Sequence, residues 1–93
     1  MTNFAADRST LRALADEGNE KALNRLADLS DERGDLEELT ELLDEGCDRA
    51  GFFLTRRAVA AGDLLALQRI RDAGYDQAGD ELDRLLEESP GRQ

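Results

Sequence analysis

Leu36, Leu39, Leu42 and Leu43 follow one another at the spacing that stacks side chains on one helical face, and the run stops at Gly46. A second run spans 48–61, carries Ala50, Leu54 and Ala58 on one face, and stops at Gly62. Two amphipathic segments, each closed by a residue that accepts a positive φ, predict an αα-hairpin. Asp35 precedes the first run and offers its carboxylate to the free N–H groups of a first helical turn. Glu38, three residues later, completes an expected capping box.

The same hairpin is written three times without gaps, as repeats 7–34, 35–62 and 63–90. Leu11, Leu39 and Leu67 share a column, as do Leu14, Leu42 and Ile70, and Leu26, Leu54 and Leu82. Asp16, Asp44 and Asp72 are identical in all three repeats, as are Gly18, Gly46 and Gly74, and Ala22, Ala50 and Ala78. The alanine column suits a close crossing between the two helices of a hairpin, where a larger side chain would force them apart.

A period of 28 residues is also four heptads, so a continuous coiled coil is the rival reading. Interior glycines oppose it, at about 1 kcal/mol each, and the Gly-Asp pairs at 34–35 and 62–63 join a helix stop to a helix start. The expected fold is therefore all-α, with six helices in three hairpins stacked as a short α-solenoid, each unit burying its apolar face on its neighbours. Arg8 occupies the column of Leu36 and Leu64, as expected for a terminal unit facing water. Pro90-Gly91-Arg92-Gln93 is expected to end the last helix and fray.

Composition agrees. Sixteen Leu and thirteen Ala favour helix, while Val59, Ile70 and four Thr are all the β-branched residues available to a sheet. Ninety-three residues suit one compact domain, 1–93. The net charge of −10, with no His, repels phosphate backbones and anionic lipids, which argues against direct nucleic-acid or membrane binding. With no spanning apolar run and no signal-peptide pattern over Met1 to Ser9, a cytoplasmic location is expected.

Candidate chemistry is sparse. The absence of His removes Ser–His and Cys–His nucleophiles and most zinc sites, so no enzyme activity, metal or cofactor is expected. Asp44, Glu45 and Asp48 read as a solvated helix end, lacking the spacing of a calcium loop. The single cysteine, Cys47, has no internal disulfide partner and aligns with Asn19 and Tyr75 in the inter-helix turn. It reads as a small turn residue rather than a nucleophile.

The string Ala15-x-x-Gly18-Asn19-x-x-Ala22-x-x-x-Leu26 resembles the helix A to helix B junction of Sel1-like and tetratricopeptide repeats. It recurs in part as Gly46-x-x-x-Ala50-x-x-x-Leu54 and Gly74-x-x-x-Ala78-x-x-x-Leu82. Ala60-Ala61-Gly62-Asp63-Leu64 through Ala73-Gly74-Tyr75-Asp76 is similar to the helix pair of an ankyrin repeat. This resemblance implies a helical-repeat interaction scaffold over residues 7 to 90.

Repeat symmetry also locates an expected binding surface. A column that is polar in both outer repeats faces neither neighbour, so an apolar residue there in the middle repeat faces outward. Phe52 (aligned with Asn24 and Asp80), Phe53 (Arg25 and Glu81) and Val59 (Asp31 and Glu87) fall in that class, with Arg49 and Arg56 on or beside the stripe. Aromatic and arginine side chains inside an acidic field have the composition of a protein-binding patch. The expected partner is another protein, with a homodimer as a variant and cover by Phe4, Ala5 and Ala6 as the internal alternative. Arg57, in the column of Leu29 and Leu85, signals a helix rotated or shifted from the ideal register. The alternative function is an acidic mimic of nucleic acid that blocks a basic groove, although eleven interspersed Arg dilute its negative stripe.

Overall fold

The computed structural model describes residues 7–88, which form six helices and no strand. The first hairpin is α1 (Arg8–Asp16) and α2 (Glu20–Arg33), and the second is α3 (Leu36–Asp44) and α4 (Asp48–Ala61). The third is α5 (Leu64–Asp72) and α6 (Asp76–Glu88). Helix starts keep the sequence offset in all three hairpins, so the repeat in sequence is the repeat in space. Residues 1–6 and 89–93, which hold the expected N-terminal cover and the expected C-terminal fraying, lie outside the described residues.

Local chemistry sets the boundaries. Asp7, Asn19, Asp35 and Asp63 each accept a backbone N–H from the first turn of the helix they precede. Gly46 (φ 95°) and Gly62 (φ 67°) adopt left-handed backbone that a side chain would strain, and the chain doubles back at both. This excludes one uninterrupted rod.

Short helices pack on the long helix of their own hairpin, and the long helices α2, α4 and α6 pack on one another in turn. Helix α4 therefore has a long-helix neighbour on each side. The core runs between the two layers through Leu26, Leu39, Leu42 and Leu67. The column of Leu11, Leu39 and Leu67 and the alanine column are buried in every repeat, whereas Leu14 is exposed while its equivalents Leu42 and Ile70 are buried.

Two arginines depart from the sequence expectation. Arg8 is only partly solvated: its side chain is 38% exposed, yet it also donates to the Glu38 carboxylate, which accepts from the Ser30 hydroxyl at 2.7 Å. Glu38 thus ties the first two repeats together, and the expected capping box keeps only its Asp35 half, an N–H of Glu38 to Asp35 Oδ1 at 3.0 Å. Arg57 marks no shift of α4. It reaches back to α2, donating to Asp31 Oδ1 at 3.0 Å and to the Asp31 carbonyl at 2.8 Å.

Burial pushes the Glu38 carboxyl up, but the bonds from Arg8 and Ser30 and the charges of Arg8 and Arg33 outweigh it and hold the group below its ordinary 4.5. A depressed carboxyl stabilises the fold above its unfolded value, and that contribution is lost as pH falls through the folded value. Glu38→Gln is expected to lose about 1–3 kcal/mol at pH 7, with the gap to the parent closing as pH falls below 4.5. Urea melts of both proteins from pH 7 to pH 3 measure it; a gap independent of pH would contradict it.

The turn residues and the helices beneath them compensate in volume. Tyr75 packs on α4 at Gly51, where an added Cβ would lie 2.6 Å from ring atoms Cγ and Cδ1. One repeat earlier the equivalent pair is Cys47 on Leu23, with the Cys47 Sγ 4.0 Å from the Leu23 carbonyl oxygen. A large turn residue faces glycine at one junction and a small one faces leucine at the other, so the volumes trade across the pair.

Candidate partner-binding groove on the middle repeat

Helix α4 separates the five predicted site residues into two sets. Phe52 is 49% exposed, as its column requires. Phe53 is not an outward residue: it is 9% exposed and belongs to the core, because α4 is enclosed from both sides. The two rings lie 5.7 Å apart at 59°. Val59 is partly buried and packs against the core while still lining the surface.

The arginines hold this arrangement. The Arg56 guanidinium lies 5.5 Å from the Phe52 centroid and 5.6 Å from that of Phe53, and Arg49 lies 5.5 Å from Phe53. Arg49 is paired with Asp28, which raises its guanidinium pKa, and Arg56 approaches Asp31 Oδ2 at 3.5 Å. Arg49 and Phe53 thus lock α4 onto α2, whereas Phe52, Arg56 and Val59 converge on one groove.

That groove runs between α4 and α6 and encloses about 640 Å3. Thr55, Tyr75, Gln77 and Arg84 complete its walls. Arg84 is neutralised by Glu81 and Glu88, which leaves the α6 wall without net positive charge. Thr55 is only 7% exposed, and its Oγ1 is buried with no hydrogen-bond partner. An unmatched buried hydroxyl costs about 1–3 kcal/mol. Sequence reasoning missed this residue, although a hydroxyl in the column of Ala27 and Asp83 was a faint signal.

The remaining candidate chemistry is structural. Cys47 is buried against α2, and burial pushes its thiol up, away from a reactive thiolate. Glu45 accepts from Arg12 at 2.6 Å. Among the described residues no three His, Cys, Asp or Glu side chains are grouped as metal ligands, and no helix is long and apolar enough to cross a membrane. No protein family, curated protein or solved structure matches the chain.

Proposed function

We propose that this chain is a protein-interaction module, an adaptor or small inhibitor, that receives its partner in the α4–α6 groove with Phe52 as the anchor. The observation that carries this reading is a half-exposed aromatic ring, with Arg56 over it and Val59 beside it, in a groove between α4 and α6. A partner inserting an apolar group beside Phe52 and Val59 takes that ring out of water. The likeness to Sel1-like, tetratricopeptide and ankyrin units supports the same scaffold role, and the lone reduced thiol suits a cytoplasmic setting.

The acidic-mimic reading is placed second. It needs rows of free carboxylates, and on α2 both Asp28 and Asp31 are engaged by arginines of α4.

Capture from the native cell by the parent and by Phe52→Ser, with Leu65→Ser on the exposed face of α5 as control, tests the reading. Phe52→Ser is expected to weaken capture about thirtyfold, the effect of losing a central anchor, with little change in melting temperature. Equal capture by all three proteins would sink it. Thr55→Val separates folding from binding: it removes a buried, unmatched hydroxyl, so the fold is expected to gain about 1 kcal/mol, a few degrees in melting temperature, while capture is unchanged. Light scattering of the parent against Phe52→Ser decides the homodimer variant.

A further inference from the structure

The two junctions between repeats are built from equivalent positions, yet they are filled in opposite ways. At the first junction Arg8 pairs with Glu38 and Arg12 pairs with Glu45, so two ion pairs close the seam between α1 and α3, with Ser30 bonded to the first. One repeat later these positions are Leu36 and Ala66, Thr40 and Ala73, and Ala58. Among the described residues no ion pair closes the seam between α3 and α5, and a groove of about 400 Å3 opens there, floored by Leu43, Leu54 and Ile70. Its charge is reversed as well: the positions of Leu29 and Glu41 become Arg57 and Arg69. It shares no lining residue with the α4–α6 groove.

We infer that this second groove binds a medium-chain fatty carboxylate, with its acyl chain between α3 and α5 and its carboxylate on Arg69. The volume falls within the range of small-molecule sites, toward its lower end. The polar groups of the wall are already used: Thr40 donates to the Leu36 carbonyl at 2.9 Å, Arg57 is held by Asp31, and Asp63 accepts from the N–H of Ala66 at 3.0 Å. Arg69 has no ion-pair partner among the described residues. An extended peptide would bring a row of backbone N–H and C=O groups that this wall cannot match, whereas an acyl carboxylate brings a long apolar body and one charged head. Among the described lining residues Arg69 is the one cation left unpaired, and it supplies the charge that meets that head.

The first junction supplies its own closing graft. Leu36→Arg, Ala58→Ser and Ala66→Glu together rebuild the Arg8–Ser30–Glu38 contact in the second seam, and Ala66→Leu alone fills the groove with apolar volume should the triple variant melt early. Calorimetric titration with decanoate, below its micelle concentration, is expected to show saturable binding to the parent and none to either filled variant. Arg69→Gln is expected to weaken binding about tenfold or more, the loss of one charge-assisted hydrogen bond, and decyltrimethylammonium is expected not to bind. No saturable binding by the parent, equal binding by the folded filled variants, or equal binding of the cationic probe would each overturn the inference.

Discussion

Gly51→Leu is expected to lose about 3 kcal/mol, a large share of the stability of a domain this size, and Tyr75→Cys in the same chain is expected to restore much of it. A helix interior ordinarily gains about 1 kcal/mol when glycine becomes a better helix former. Here the clash decides the sign, because the atoms met at 2.6 Å are Cγ and Cδ1 of Tyr75, close to its backbone and unable to swing clear. Tyr75→Cys alone leaves a hole under the turn and is expected to destabilise by several kcal/mol. The double variant recreates the Leu23 and Cys47 pairing of the preceding junction, so the cycle should show favourable coupling of about 2 kcal/mol. Urea denaturation of the four proteins measures it. Simple additivity would mean that the two junctions do not fill equivalent space.

Phe52 and Phe53, adjacent in sequence, are expected to behave oppositely. Phe53→Ser removes a ring held in the core and under two guanidinium groups, and should cost about 3–5 kcal/mol. Phe52→Ser should change stability by less than about 1 kcal/mol, as for a surface position, because its ring is half exposed and gives up mainly the contact with Arg56. Thermal melts followed by circular dichroism distinguish them. Comparable losses would show that both rings serve the fold and that the middle repeat has no free aromatic surface.

The hairpins were legible because each local signal pointed the same way. The apolar spacing and the glycine stops at Gly46 and Gly62 put α4 at Asp48–Ala61, as the pattern predicts, although its N-cap Cys47 makes no side-chain cap bond. The outward column rule succeeded for Phe52 and failed for Phe53, for a reason rooted in the stack. It weighs one neighbour at a time, whereas α4 lies between α2 and α6 and the Arg49 and Arg56 side chains close over what remains. The Arg8 ion pair was not legible because a charged residue in an apolar column reads simply as solvated, and its partner Glu38 belongs to the next repeat. The Gly51 and Tyr75 fit lay in adjacent columns and becomes visible only when their volumes are paired across a junction. Thr55 had no strong periodic signal, since an unmatched hydroxyl is a property of its surroundings.

If the face of α4 turned toward α6 holds another protein, as proposed, p-benzoylphenylalanine placed at position 52 should crosslink to that partner on illumination in the native cell. The same residue at position 65 on α5 serves as control. A discrete adduct that depends on light is expected from position 52 alone. No adduct from position 52, or the same adducts from both positions, would contradict it.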